Sequence, residues 1–236
     1  MNPILIGAYW RERLSSPVRM VLAFAIVGLN ILTSAFTGSP VPDAFSAVYL
    51  TLVLGGGAIG RDVSSGAIHL ILVRPVRRSE YVLNRWLAVF LTTSLVVIVQ
   101  GAIILLLLLA GGRGVPFDMI ALNLSEQILI IVGLSAVLIF LSSLVGGNGD
   151  VALFVVGFLM GSVISLIGSA TQKTWLADIG HEITRFLIPR LELTGGVESL
   201  TALAVPLASW GFSVTLCLAL AILVLNRREF SYASTG

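Results

Sequence analysis

Long apolar runs alternate with short polar segments along almost the whole chain, and several of these segments contain glycine or proline. Most runs are close to the ~20 residues that an α-helix needs to cross the roughly 30 Å hydrocarbon core of a bilayer. The pattern predicts an all-α membrane protein with a single transmembrane domain over residues 1–236. Six spans are predicted, at Val18–Phe36, Ala44–Gly60, Trp86–Ala110, Leu124–Val145, Val151–Ala170 and Leu203–Leu225.

The first segment, residues 1–17, mixes apolar and charged side chains around Trp10. It is too short and too charged to cross a bilayer. This composition is typical of a helix that lies at the membrane interface, with the indole at the depth of the headgroups. A frayed N-terminal tail is the alternative.

The second polar stretch, residues 171–200, contains apolar residues at helical spacing over 175–188. The spacing predicts an amphipathic helix that lies on a membrane face or dips into it. Pro189 should end this helix, because proline lacks the amide hydrogen that a helix interior needs.

The composition supports the membrane assignment. Hydrophobic residues make up 57% of the chain and charged residues 11%, and the mean hydropathy is +1.02. Soluble domains have about 25% charged residues.

The net charge of +2 is too small to indicate nucleic-acid binding, and the single cysteine, Cys217, excludes an intrachain disulfide. The first apolar run is longer than that of a signal peptide, so a membrane helix is favoured over a cleaved leader.

The distribution of Lys and Arg orients the predicted helices, because cytoplasmic segments carry an excess of both. With the N-terminus inside, all but four of the 14 Lys and Arg residues fall in inner segments. Both termini and the loop 61–85 are then cytoplasmic, and the helix over 175–188 is extracytoplasmic. The four outer residues are Arg113, Lys173, Arg185 and Arg190.

The sequence carries no recognisable energy source. A nucleotide-binding P-loop needs a lysine after a glycine-rich turn, whereas the only lysine, Lys173, follows Thr171-Gln172. Carriers coupled to protons or ions use ionisable groups near the middle of the membrane. The predicted spans hold almost none, apart from Glu126 at the outer end of the fourth. A secondary carrier is therefore less favoured, although unwound backbone could still bind Na⁺.

Catalytic and metal sites find little support. Gly133-Leu134-Ser135 is superficially similar to a membrane serine protease motif, but a serine nucleophile needs a base within reach. The two histidines, His69 and His181, lie in predicted loops far from it. The spacing of Asp178, His181 and Glu182 would suit a metal, but a solvated helix face is the favoured interpretation. No catalytic residue, metal ligand or cofactor site is predicted in this chain.

The loop 61–85 is the long polar interruption in the first half of the chain. Its spacing predicts a short amphipathic helix over Asp62–Val73, which either lies passively at the interface or docks into a soluble partner. The helix should stop before Pro75, since the residue preceding a proline avoids the helical conformation. Arg74–Arg85 would then form a basic hinge, although the positive-inside bias alone explains its arginines. The polar face of the helix would carry Asp62, Ser65 and His69.

Two pairs of glycines at four-residue spacing fall in predicted spans. Gly56 and Gly60 end the second, and Gly157 and Gly161 lie in the fifth. Small residues at this spacing let a neighbouring helix approach closely, so all four are candidate helix-packing positions. The ordinary enrichment of glycine in membrane helices explains them equally well.

The loop resembles the one between the second and third spans in the membrane subunits of type-2 ABC exporters. The similarity extends to the six-span layout, the N-terminal interfacial helix, the outer helix before the last span and the basic end after it. Asp62 stands where this family commonly has Glu. The residues that carry the resemblance are Asp62, Gly66, Leu70-Ile71-Leu72, Pro75, Arg78, Tyr81 and Arg85.

The resemblance implies that the loop contains a coupling helix held in a groove of a separate ATP-binding subunit. Two ATPase copies and two permease subunits, identical or similar, would form the transporter in a bacterial or archaeal cell membrane. ATP and Mg²⁺ would bind the ATPase, and this chain would hydrolyse nothing. Alternatives are a secondary carrier or channel, a non-transporting scaffold or assembly factor, and a membrane enzyme. The implied coupling residues are Asp62, Ser65, Gly66, His69, Arg74, Pro75, Arg77 and Arg78.

Overall fold

The computed structural model describes residues 3–37, 44–67, 77–112, 117–191 and 200–227, and these residues form helices and connecting turns. We number the helices in chain order. They are α1 Pro3–Leu14, α2 Pro17–Thr37, α3 Ala44–Gly55, α4 Gly60–Ser64, α5 Arg78–Ala110, α6 Phe117–Leu144, α7 Gly149–Ala170, α8 Thr174–Leu187 and α9 Leu200–Arg227.

Five of these helices, α2, α5, α6, α7 and α9, are long and apolar enough to cross a membrane. The predicted second span, Ala44–Gly60, is not one continuous helix. Helix α3 has 12 residues, which is about 18 Å of helix, and it ends at Gly55. The apolar run continues beyond Gly55, but Gly57 adopts a positive φ of 68° that a right-handed helix does not allow.

One end of the bundle gathers most of the helix termini. Arg19, near the start of α2, donates a 2.8 Å hydrogen bond to the carbonyl of Gly56, just after α3. The amide of Gly147, between α6 and α7, donates to the Gly60 carbonyl at 2.7 Å. Arg78, at the start of α5, donates to the carbonyl of Leu225 near the end of α9 at 2.6 Å. We call this the basal end and the opposite one the apical end.

Helix α6 lies at the centre and packs against α3, α5, α7 and α9. Its middle is fully buried, with Leu134 and Leu138 both at 0% exposure. The peripheral α2 instead exposes large apolar side chains such as Phe24 and Phe36, as a lipid-facing helix does.

Several predicted boundaries agree with the structure, whereas the starts of the third and fourth spans do not. Helices α7 and α9 begin and end within a few residues of the predicted fifth and sixth spans, and α1 is a helix as predicted. The third span begins at Arg78 rather than Trp86, so residues 78–85 of the predicted basic hinge are helical. The fourth begins at Phe117 rather than Leu124, which shortens the predicted turn before it.

The predicted amphipathic helix over 175–188 is α8, and it runs antiparallel to α7. Three glycines bring the two backbones together: a Cβ on Gly168 or Gly180 would clash with backbone atoms of the other helix, and one on Gly161 would lie 3.1 Å from the Gly180 carbonyl. Leu187, at the end of α8, reaches Gly157 of α7, where a Cβ would lie 3.1 Å from its Cδ1. Helix α8 therefore returns from the apical end into the bundle.

Candidate functional site

A buried carboxylate closes the base of the 61–85 loop. Asp62, in α4, is 8% exposed, and its Oδ2 accepts hydrogen bonds from the Tyr81 hydroxyl and from Nη2 of Arg85. Both donors lie in the first turns of α5. Asp62 is one of the residues implied to face an ATPase; in the structure its side chain points inward and pairs with the guanidinium of Arg85.

The chain turns sharply just after this carboxylate. Helix α4 ends at Ser64, and Gly66 has a φ of 72°, so the predicted continuous helix over Asp62–Val73 is interrupted. Ser65 is exposed at the turn, where a partner could reach it. Of the other implied coupling residues, His69, Arg74 and Pro75 lie outside the described residues, and Arg77 is exposed.

Cation–π contacts of the Tyr9 ring join α1 to the Asp62–Arg85 ion pair. The guanidinium of Arg85 lies 4.3 Å from the centre of the Tyr9 ring, and that of Arg13 lies 4.6 Å from it. Glu12 is 3.8 Å from Arg85. Burial raises the pKa of the Tyr9 phenol, so the ring stays neutral between the two cations.

Two of the basal arginines cap the short helix α3. Arg13 and Arg19 both donate to the carbonyl oxygen of Gly56, the residue that follows α3. The last carbonyls of a helix lack partners within the helix and carry partial negative charge, so guanidinium donors satisfy them well. Burial lowers the pKa of Arg13, which is 1% exposed.

The end of α6 and the start of α7 bind the glycine-rich turn that follows α3. Asp150, fully buried, accepts hydrogen bonds from the amide of Gly57 at 2.6 Å and from that of Val151 at 2.9 Å. Ser142 Oγ accepts from the amides of Ile59 and Gly60 at 3.0 and 2.8 Å. Amides in a buried turn lack the carbonyl partners that a helix supplies, and these side chains accept their hydrogen bonds instead.

The candidate packing glycines lie at close contacts, though not all between two helices. A Cβ on Gly56 would lie 2.6 Å from a methyl of Val151, and one on Gly60 would lie 2.5 Å from the Gly147 carbonyl. Gly56 and Gly60 thus pack against the α6–α7 turn region and do not share a helix. Gly157 and Gly161 face α8.

Arg78 does not extend from the loop towards a partner. Its guanidinium donates to the carbonyls of Leu225 and Asn226 at 2.6 and 3.0 Å, which caps the end of α9. Arg78, one of the implied coupling residues, thus has a structural role within the chain.

A second polar region lies beside α7 and α8, in a cavity of about 980 Å³ that α3 and α9 also line. Ser165 Oγ lies 3.2 Å from His181 Nε2, and the Arg190 guanidinium lies 5.0 Å from the centre of the Phe45 ring at the start of α3. The cavity is lined by Phe45, Phe158, Ser162, Ser165, Leu166, Ser169, His181, Thr184, Arg185, Ile188, Arg190, Leu191 and Pro206.

The geometry gives no support to the catalytic alternatives. Ser135 is buried and donates to the Val132 carbonyl at 2.9 Å. The Ser165–His181 pair has no carboxylate on the second ring nitrogen among the described residues, so no third group orients the imidazole. Within the described part of the chain, no three His, Cys, Asp or Glu side chains converge as metal ligands do.

Neither a protein-family model nor a curated protein matches this chain. The function must therefore be inferred from the residues themselves, which form two regions: the basal network around Asp62 and Asp150, and the α7–α8 cavity with Arg190. Sequence reasoning missed both, although the loop 61–85 pointed to the location of the first.

Proposed function

We propose that this chain is the membrane-spanning permease subunit of an ATP-driven exporter, which couples to a separate ATPase through the 61–85 loop. The observation that carries the proposal is the buried contact of Asp62 with Tyr81 and Arg85. It ties the two ends of the loop together where they leave the bundle. A force applied to the loop would therefore move the start of α5 instead of being absorbed by slack chain.

The same network gives such a force a route to other helices. Directly before Asp62, the carbonyl of Gly60 accepts from Gly147, and the amides of Gly57 and Gly60 donate to Asp150 and Ser142. Movement of the loop base would thus reach the α6–α7 turn through hydrogen-bonded backbone. Contiguous networks of this kind are what coupling between distant sites requires.

The basal end would face the cytoplasm, because it holds most of the basic residues. The ATPase would meet the exposed part of the loop, for which Ser65 and Arg77 are the described candidates. Two ATPase copies would bind ATP and Mg²⁺, and a second permease subunit, identical or similar, would complete the pathway. This chain would bind neither nucleotide nor metal.

The test is to purify the chain with a P-loop ATPase encoded beside it. Ser65→Glu adds bulk and charge to the exposed loop, so we expect it to weaken co-purification by about tenfold. Thr174→Glu makes a comparable change at an exposed apical position and should leave co-purification unchanged. If Ser65→Glu retains the ATPase as well as Thr174→Glu does, the loop is not the docking site.

The alternative of a secondary carrier has one observation in its favour. Arg190 places a cation inside the bundle, where the sequence predicted almost no ionisable group. Uptake of a radiolabelled anion into vesicles that contain this chain alone, driven by an ion gradient, would favour that alternative. Uptake or efflux that requires both the ATPase and ATP would favour the exporter.

A further inference from the structure

Arg190 lies deep in the bundle, at about half its height. Its guanidinium stacks over Phe45, which is ten residues before the basal end of α3 and therefore about 15 Å above it. Leu187, three residues before Arg190, contacts Gly157, which is about 12 Å from the start of α7 by the same rise. With a hydrocarbon core of about 30 Å centred on the bundle, Arg190 would lie near its middle.

The cavity opens from Arg190 towards the apical end. On α7 its wall runs from Phe158 to Ser169, a distance of about 16 Å. Ser162, Ser165 and Ser169 lie along this wall on one face of the helix, so their hydroxyls line the same side.

Arg185 and Arg190 both line the cavity, whereas no Asp or Glu does among the described residues that form it. Arg185 contacts Glu182 at 3.7 Å, but both side chains are more than half exposed, and such a pair contributes little. Arg190 is exposed to the cavity and has no ion-pair partner in the described part of the chain.

The remaining walls are apolar, with Phe158, Leu166, Ile188, Leu191 and Pro206 beside the polar groups. A guanidinium near the middle of a membrane is costly unless an anion or water accompanies it. The donors of a guanidinium bind carboxylate or phosphate oxygens, while the apolar walls suit hydrocarbon.

We propose that the α7–α8 cavity binds an amphiphile with an anionic head group, which Arg190 recognises. An acidic phospholipid fits this description in charge and in its apolar chains. If this amphiphile is also the transported substrate, the inference rests on the proposed function. Binding of the amphiphile to the cavity requires no ATPase.

The experiment measures lipid binding to the purified chain alone by native mass spectrometry. Dioleoyl phosphatidylglycerol and dioleoyl phosphatidylcholine are offered at equal concentrations, so that the two lipids differ in head group only. We expect the wild type to retain the anionic lipid preferentially. Arg190→Gln should reduce this preference about tenfold, the effect of losing a hydrogen bond to a charged group, while Arg190→Lys should retain most of it.

Arg227→Gln is the matched control, since Arg227 is exposed at the basal end of α9 and should contribute nothing to the preference. Circular dichroism verifies that each variant keeps its helices. An undiminished preference in Arg190→Gln, or an equal loss in Arg227→Gln, would overturn the proposal. So would complete displacement of the lipid by millimolar inorganic phosphate, which would indicate a site for free anions. Because no ATPase is present, a failure here leaves the co-purification test of the loop intact.

Discussion

The carboxylate of Asp62 and the guanidinium of Arg85 form an ion pair although 23 residues separate them in the sequence. The two side chains are 11% and 12% exposed, so water screens the pair weakly. A buried ion pair is better evidence for a fixed geometry than for stability, because removing two charges from water is costly. Here the ion pair fixes the base of the 61–85 loop, which is the loop that we propose docks onto the ATPase.

Breaking this pair from one side should be strongly destabilising. Asp62→Ala leaves Arg85 buried without its carboxylate, and we expect the free energy of unfolding to fall by about 3 kcal/mol. Urea or SDS titration followed by circular dichroism measures the change. Asp118→Ala removes an exposed carboxylate from the apical start of α6 and should cost less than about 0.5 kcal/mol. Equal stability of the two variants would show that the pair does not form.

The ring of Tyr9 matters more than its hydroxyl. The hydroxyl is buried without a hydrogen-bond partner among the described residues, whereas the ring contacts the guanidinium groups of Arg13 and Arg85. We expect Tyr9→Phe to be neutral or slightly stabilising, and Tyr9→Leu to cost about 1–2 kcal/mol through lost cation–π contacts. The same titrations measure both variants. A larger loss in Tyr9→Phe than in Tyr9→Leu would mean that the hydroxyl has a partner and that the cation–π contacts contribute little.

The sequence could predict helices wherever turn residues bound an apolar run. The fifth span is an example, because the turn around Asn148 and the polar residues after Ala170 delimit it on both sides. The second span could not be predicted in this way. Glycine, alanine and isoleucine continue its hydropathy beyond Gly55, so a hydropathy pattern does not distinguish the end of α3 from its continuation.

The candidate sites depend on contacts between distant segments, which periodicity does not encode. Arg13 and Arg19 contributed to the positive-inside pattern, yet in the structure they bind the Gly56 carbonyl, 43 and 37 residues away. Arg190 was predicted outside the membrane, because only the antiparallel packing of α8 on α7 brings the segment after it into the bundle. The lack of ionisable groups in the predicted spans therefore understated the polarity of the interior.

A methyl group at Gly60 should disrupt the contact between the two basal turns. The added Cβ would lie 2.5 Å from the Gly147 carbonyl and 2.7 Å from that of Val145, and backbone atoms cannot move aside as a flexible side chain does. We expect Gly60→Ala to cost about 1–3 kcal/mol, the usual range for overpacking. Thermal unfolding of the purified protein measures the cost.

Gly28→Ala is the matched control for this substitution. Gly28 lies in α2, where a Cβ would meet nothing within 4 Å, so alanine should leave stability unchanged or raise it slightly through its higher helix propensity. If Gly60→Ala and Gly28→Ala unfold at the same temperature, the two basal turns are not in close contact.

Removal of one hydroxyl from the loop base should separate docking from coupling. Tyr81→Phe deletes the hydrogen bond to Asp62 but keeps the ring and the Arg85 ion pair, so we expect a loss of only about 1 kcal/mol in stability. If the loop base transmits force to α5, the ATPase should still co-purify, while the change in its turnover on adding this chain should shrink. Tyr49→Phe removes an exposed hydroxyl from α3 and should alter neither quantity. A full turnover response in Tyr81→Phe, together with unchanged co-purification, would mean that the hydrogen bond to Asp62 takes no part in coupling.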